Sequence, residues 1–270
     1  MGWKKILIFI GLLFIVGFNF YLYKAEFKVL VDPNDNIFQY ALIDEARNIW
    51  KQVFAGKLSP FYLLDSWQER WAEGFALSSY YAHLPQGVIS LIGLISPIGE
   101  YKMFVFIRTI MLILMPVMFY LGARILGVSL LPSLLVSLLS QTISTDGLYG
   151  IDATSFLWRG WGLSAQLVAV FFLPVAFAYT INYFENPTSH KASLGKAVLF
   201  NFLVAQSHFG MFSLLLLGYP LYLLTYFFHD IPVVIASEQS ERGNPVEHAH
   251  PNGIASSLSS RWGRAVTAWM

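Results

Sequence analysis

Long apolar runs separated by short polar stretches dominate the chain. A membrane-spanning helix needs about 20 mostly apolar residues, and several runs approach that length. The predicted spanning segments are 6–23, 103–123, 128–144, 161–182, 195–207 and 210–228. The last two form one run that is broken at "QSHFG", where polar groups and a glycine interrupt it. The pattern predicts an all-α polytopic membrane protein with about six transmembrane helices.

The apolar segment 85–97 is bracketed by prolines and is only 13 residues long, so it is typical of a re-entrant or interfacial segment. If it does not cross, a set of basic residues that flank the spans lies on the same side as the N-terminus, as the positive-inside rule prefers. These residues are Lys4, Lys5, Arg124, Lys191 and Lys196. If it crosses, the later loops change sides. We therefore expect a cytoplasmic N-terminus and a first extracytoplasmic loop at 24–102.

The first 23 residues have two possible interpretations. Lys4 and Lys5 precede an apolar stretch, as in a cleaved signal peptide. That stretch is longer than the usual h-region of about 7–15 residues, and no A-x-A site follows it. A retained first helix is the favoured interpretation.

The long first loop contains a segment with helical periodicity. In "DNIFQYALIDEARNIWKQVFAG", apolar residues recur from Phe38 through Leu42 and Ile49 to Val53, and Gly56 is placed to end the helix. This pattern predicts an amphipathic helix on the membrane surface. A second short helix is expected after Pro60, with Trp67 and Trp71 in the headgroup layer.

The C-terminal stretch 230–270 is polar and closes on "SSRWGRAVTAWM", a basic flank followed by the beginning of an apolar run. We expect a cytoplasmic loop or tail at 230–270 and a sequence truncated before a further helix.

Composition supports a bilayer as the solvent. Hydrophobic residues make up 56% of the chain and charged residues 12%, against about 25% charged in ordinary soluble proteins. The net charge of +1 gives no basic face for nucleic acid. The chain has no cysteine, which excludes disulfides and thiolate nucleophiles, and it contains neither a P-loop nor a G-x-G-x-x-G fingerprint. If the protein is an enzyme, a soluble nucleotide sugar is therefore not its expected substrate, and a substrate carried in the lipid fits better.

Candidate polar residues concentrate in the predicted external segments. They are Asp32, Asp35 and His83 in the first loop, Asp146, Asp152 and Arg159 in the second, and Gln206 and His208 at the last corner. Asp35 has two interpretations: a cap for the helix that follows Pro33, or a carboxylate at the membrane boundary acting as general base or metal ligand. His208 is likewise either a satisfied histidine at a helix junction or a functional group.

Two arginines are candidates of different kinds. Arg159 lies between Trp158 and Trp161 and opens a membrane helix, so its guanidinium and the helix N-terminal amides suit a lipid-linked phosphate. The plain alternative is that the loop around it is simply solvated. Arg108 lies inside an apolar segment near its outer end, where its side chain is expected to snorkel to the interface.

The stretches "DPNDNIFQYALIDEARNIW" and "LLDSWQERWAEGFALSSYYAHLP" resemble the integral-membrane GT-C glycosyltransferase superfamily, in particular the membrane proteins described as 6-pyruvoyl-tetrahydropterin synthase-related. Asp35 matches the family's first-loop acid, Trp67 or Trp71 its tryptophan, and Tyr81 belongs to its "Y-x-x-L-P" motif. Two positions depart from the family pattern. Gln39 stands where histidine is common, and Ala76 stands where proline is common.

The resemblance covers residues 1–229 as a GT-C-like transmembrane domain. It implies transfer of a sugar from a polyprenyl-phosphate donor to a glycan, lipid or protein acceptor at the extracytoplasmic face of the plasma membrane. Asp35 would be the catalytic base, Asp32 and Asp152 would assist it, and Asp35 and Asp152 would hold Mg²⁺ or Mn²⁺ in members that use a metal. The residues assigned to the substrate or its lipid phosphate are Arg159, His83, His208, Gln206, Trp67 and Tyr81.

The competing hypothesis is a non-catalytic polytopic membrane protein, either a lipid-binding scaffold or a transporter. A transporter would place ionisable residues near the middle of the bilayer and often shows inverted repeats. This chain concentrates its acids in predicted external loops and shows no repeat. A scaffold is compatible with the same pattern.

Overall fold

The computed structural model describes residues 3–28, 36–63, 84–140, 164–185 and 191–229. Within these ranges the chain forms helices and turns and no strand. The α-helices are α1 (Trp3–Tyr23), α2 (Asn36–Phe54), α3 (Leu84–Ile95), α4 (Glu100–Ile125), α5 (Leu130–Leu139), α6 (Ser164–Glu185), α7 (Lys191–Ser207) and α8 (Phe209–His229). Two short 3₁₀ helices, Lys24–Lys28 and Pro60–Leu63, follow α1 and α2.

Three of the helical segments are long and apolar enough to cross a membrane: Trp3–Lys28, Glu100–Ile125 and Gln166–Glu185. Shorter apolar helices occupy Leu84–Ile95, Leu130–Leu139 and Phe209–Thr225. The all-α prediction is confirmed for the described residues, and a helix lies within each predicted spanning segment. Large apolar side chains such as Phe9, Leu13 and Phe14 remain exposed on α1, as expected of a surface whose solvent is lipid.

Helix α4 packs against α1, α3, α5 and α6. Its middle turns, at Leu112, Ile113 and Met115, form a buried cluster with Tyr23 and Leu167. Because Pro116 has no N–H, the carbonyl of Leu112 lacks its usual partner within the helix. The side-chain amide of Asn19, on α1, donates to that carbonyl at 3.3 Å. It thus satisfies a backbone group whose burial without a hydrogen bond would be energetically costly.

Close backbone approaches hold α4 and α6 together. A Cβ added at Gly122 would lie 2.8 Å from the carbonyl oxygen of Pro174, so only glycine permits this approach. One turn further on, the Asn182 amide donates to the carbonyl of Ile125 at 3.1 Å. The residues that meet rise together along both helices, so α4 and α6 run parallel.

Helices α6 and α7 pack in opposite directions. The Asn201 amide donates to the hydroxyl of Thr180 at 2.8 Å, and Ala169 and Val204 belong to one buried cluster nearer the start of α6 and the end of α7. Small residues and side-chain amides are the usual means of joining helices in a bilayer.

Helix α2 confirms the predicted amphipathic helix, with a different partner for its apolar face. Leu42, Ile43 and Ile49 are buried, and Ile43 packs with Ile89 of α3 and Phe104 of α4. The expectation of a helix lying on lipid is corrected to this extent, because much of that face is covered by protein. The predicted end is also confirmed: Gly56 has φ 69°, and the Lys57 amide donates to the carbonyl of Gln52 at 2.9 Å in a Schellman motif.

Helix α3 folds back along the beginning of α4. It has 12 residues, which span about 18 Å against a hydrocarbon core of about 30 Å. A Cβ added at Gly93 would lie 2.3 Å from the Cα of Glu100, so the absence of a side chain at Gly93 allows the two helices to touch.

The Gly93 contact predicts a selective loss of stability. Gly93→Ala should destabilise the protein by about 1–3 kcal/mol, because the methyl group must displace backbone. Gly87→Ala on the same helix is the matched control, since an added Cβ there meets nothing within 4 Å, and its effect should stay within about 1 kcal/mol. Chemical denaturation in detergent micelles measures both, and equal stabilities for the two variants would contradict this packing.

Candidate functional site

Several helix ends lie at one level along α4. Tyr23, at the end of α1, and Leu167, near the start of α6, belong to one buried cluster with Leu112 of α4. The start of α8 is at the same level, because the Gln166 amide lies 3.8 Å from the sulfur of Met211. The 3₁₀ turn after α1, the start of α6, the end of α7 and the start of α8 thus share one end of the bundle. We call it the loop end, because the sequences 29–35 and 141–163 continue from described residues located there.

Most of the predicted site residues lie outside the described residues: Asp32, Asp35, Trp67, Tyr81, His83, Asp152 and Arg159, together with Asp146. Their predicted roles stay predictions. What the structure gives is the position of the helix ends on either side of them. Lys28 and Ser164 border the segments that carry Asp32, Asp35, Asp152 and Arg159, and both belong to the loop end.

Gln206 and His208 are the predicted site residues that the structure describes. Gln206 lies half-buried in the last turn of α7. His208 lies between α7 and α8, and its Nδ1 accepts a hydrogen bond from the backbone N–H of Met211 at 3.2 Å. This is the geometry of a helix N-cap. An Nδ1 that accepts places the ring proton on Nε2, and burial lowers the pKa of His208, which favours this neutral form. The Nδ1 of His208 thus has a partner in the backbone of α8, and a role of His208 towards a lipid phosphate stays a prediction.

Arg108 is buried beside an acid that sequence reasoning missed. The guanidinium of Arg108 lies 3.8 Å from the carboxylate of Glu26, and the two side chains are 2% and 5% exposed. The guanidinium carbon also lies 5.5 Å from the centre of the Phe104 ring. The expectation that Arg108 snorkels to the interface is therefore wrong, because an opposite charge lies within reach inside the fold. Glu26 gave no signal, since an acid just after an apolar run is an ordinary flank.

A second buried polar contact joins α2 and α3. Gln86 donates through its amide nitrogen to the side-chain oxygen of Gln39, and both side chains are buried. Gln39 is the residue that stands where the resembling family commonly has histidine. In this chain an amide at that position has an interhelical partner.

The first turn of α4 carries a charged network. Arg47 lies 2.8 Å from Glu100 and 3.5 Å from Asp44, and the hydroxyl of Tyr101 donates to Asp44 at 3.3 Å. An open cleft of about 440 Å³ adjoins this network. Its lining residues are Tyr40, Ile98, Gly99, Glu100, Tyr101 and Lys102. The network fixes the middle of α2 on the start of α4.

Metal ligands were expected at Asp35 and Asp152, which lie outside the described residues. Within the described ranges, no group of three or more His, Asp or Glu side chains is arranged to hold a metal ion. Carboxylate oxygens are the ligands that Mg²⁺ and Mn²⁺ prefer, so the chemistry of the two aspartates fits such an ion.

The described part of the chain defines an all-helical protein with three helices suited to a membrane. Comparisons with models of protein families, with curated proteins and with solved structures found no match.

The His208 cap predicts a pH-dependent stability. Because the folded-state pKa of His208 is lowered, its contribution is complete above the unfolded pKa of about 6.5 and is lost as the pH falls below it. His208→Ala should remove the cap at a cost of about 1 kcal/mol, and it should also reduce the pH dependence.

His208→Asn is the matched control, because asparagine caps a helix without titrating near neutral pH. It should retain most of the stability and show the reduced pH dependence. The free energy of unfolding in detergent, measured at about pH 8 and about pH 5.5 on either side of the reference pKa, tests both variants. An alanine variant with the native pH dependence would contradict this role.

Proposed function

We propose that the chain is an integral-membrane glycosyltransferase of the GT-C kind, located in the plasma membrane. It would transfer a sugar from a polyprenyl-phosphate donor to a glycan, lipid or protein acceptor at the extracytoplasmic face. The observation that carries the proposal is the loop end, because the segments with the candidate acids and Arg159 continue from described residues at the same end of the bundle.

The proposed topology follows from the positions of the basic residues and from the packing of α3 on α4. Lys4 and Lys5 at the start of α1, Arg124 at the end of α4 and Lys196 in α7 belong to the opposite half of the bundle. The positive-inside rule assigns that half to the cytoplasm, together with the N-terminus. In this arrangement six helices cross and α3 does not, because α3 folds back on α4 at Gly93. The loop end then faces the outside.

The proposed chemistry is a displacement at the anomeric carbon of the donor sugar. Asp35 accepts the proton of the acceptor hydroxyl while the oxygen of that hydroxyl forms the new bond to the anomeric carbon. The bond from that carbon to the phosphate oxygen breaks, and polyprenyl phosphate leaves. Asp32 would support Asp35 from the same loop, and Asp152 would assist it from the second loop. A divalent cation, where one is used, would be held by Asp35 and Asp152 and would supply positive charge near the departing phosphate.

The remaining assignments concern substrate binding. Arg159, at the predicted start of a membrane helix, would hold the lipid phosphate with helix N-terminal amides. His83, Gln206 and His208 would donate or accept hydrogen bonds around the sugar or phosphate. Trp67 and Tyr81 would provide the amphipathic surface that aromatic rings give at a membrane interface.

The alternative function is a non-catalytic polytopic membrane protein, a transporter or a lipid-binding scaffold. One specific observation favours a transporter: Glu26 and Arg108 form a buried ion pair, and ionisable residues within membrane segments often mark substrate pathways. The pair lies where α1 ends, one turn before the middle turns of α4.

Sugar transfer by the purified protein tests the proposal. Asp35→Asn should lower the turnover of a labelled polyprenyl-phosphate sugar by about 10²–10⁴-fold, the usual contribution of general base catalysis. Glu45→Gln is the matched control, since Glu45 is an acid on the neighbouring helix α2 and has no assigned role. Its turnover should equal that of the native protein.

Two results would contradict the proposal. Undiminished turnover in Asp35→Asn would remove Asp35 from the mechanism. A native protein that binds polyprenyl phosphate and transfers no sugar would favour the lipid-binding scaffold.

A further inference from the structure

Two buried polar contacts bracket the segment that carries the predicted catalytic acids. Glu26 faces Arg108 just before residues 29–35, and Gln39 accepts from Gln86 just after them. We infer that these are positioning contacts, which hold the described flanks Lys28 and Asn36 at a fixed separation. The consequence for catalysis rests on the proposed function, whereas the fixed separation does not.

The first contact sets the register of the chain leaving α1. Arg108 can lower the energetic cost of its burial only where an opposite charge is near, and Glu26 meets this condition at 3.8 Å. The Phe27 ring packs 5.8 Å from Phe106, and the Asn19 amide reaches the carbonyl of Leu112. A shift of the 3₁₀ turn along α4 would disturb all three contacts together.

The second contact sets the register of α2. The Gln39 and Gln86 side chains are buried against each other, so a slip of α2 along α3 would leave two amides in apolar surroundings. Tyr40 packs 5.4 Å from Phe104, and the Trp50 indole donates to the carbonyl of Gly87 at 2.9 Å. The first of these contacts, at Gln39, holds α2 in place only three residues after Asn36.

Stability alone does not require polar pairs at these positions. Well-packed apolar residues of similar volume commonly replace a buried ion pair without loss of stability. A charge pair or an amide pair favours one register of the two helices, because every other register separates the partners. A fixed register matters for catalysis, since a displacement of about 1 Å at reacting groups can lower the rate about 10²-fold.

Spin-label distances measure the proposed positioning directly. The chain has no cysteine, and Lys28 and Ile37 are exposed, so Lys28→Cys with Ile37→Cys labels both flanks selectively. Electron spin resonance then gives the distribution of distances between the labels. We expect one narrow distribution in the otherwise native protein.

Two double variants replace both partners of one contact each, so that neither partner is left facing an apolar side chain. They are Glu26→Leu with Arg108→Met, and Gln39→Leu with Gln86→Leu. Each should broaden or shift the distribution by several ångströms. Ser137→Ala is the matched control, because it removes another buried interhelical hydrogen bond, the one to the carbonyl of Pro116, and it should leave the distribution unchanged. Arg108→Lys and Gln86→Asn are milder variants that should show smaller changes of the same kind.

Sugar transfer provides the second measurement. Each double variant should lower kcat about tenfold or more, up to the rate effect of misplacement, and should leave the KM of the donor within twofold. Arg108→Lys should restore part of the kcat. A merely structural role would instead lower the amount of folded protein and leave kcat per folded molecule unchanged.

The outcomes separate the two proposals. Native distance distributions in both double variants would overturn the positioning role, and a broadened distribution with native kcat would overturn its consequence for catalysis. A broadened distribution with a reduced kcat supports it. If the native protein transfers no sugar, the proposed function fails, while the distances still decide whether these contacts fix the flanks.

Discussion

The Arg108 guanidinium is buried beside the Glu26 carboxylate, and this contact joins the end of α1 to α4. The two groups are 3.8 Å apart and almost fully buried. Separating them would leave buried charges without compensation, which is energetically costly. The pair therefore fixes how α1 lies along α4. In that register Asn19 meets the carbonyl that Pro116 leaves without an N–H partner.

The stretch of α4 fixed in this way is also the surface on which α6 packs. Leu112 and Met115 belong to one buried cluster with Leu167, and further along Gly122 allows the backbone of α6 to approach at Pro174. Helix α7 then follows α6 through the pairing of Asn201 with Thr180. The common level of the helix ends, on which the proposed site depends, is thus a consequence of packing along a single central helix.

Sequence reasoning predicted what depends on local pattern. The apolar runs gave the helices, the period of α2 gave its buried face, and Gly56 gave its end. It could not predict contacts between residues distant along the chain, because no pattern linked Arg108 to Glu26 or Gln39 to Gln86. Arg108 was accordingly expected at the interface, and Gln39 was noted only as a departure from a family motif. His208 was open between cap and ligand until the position of Met211 showed the cap. The predicted catalytic acids lie outside the described residues, so their roles rest on sequence and on the helix ends beside them.

The central claim is that the candidate acids, Arg159 and the loop end all face the outside of the cell. Cysteine substitutions at Ser66 and Thr188, probed in intact cells with a membrane-impermeant thiol reagent, test it most directly, and the native chain contributes no thiol. Labelling at Ser66 alone, with Thr188 reacting only after the membrane is permeabilised, is the predicted result. Labelling at Thr188 in intact cells would contradict the account, because it would place the end of the bundle that carries Lys4 and Arg124 outside the cell.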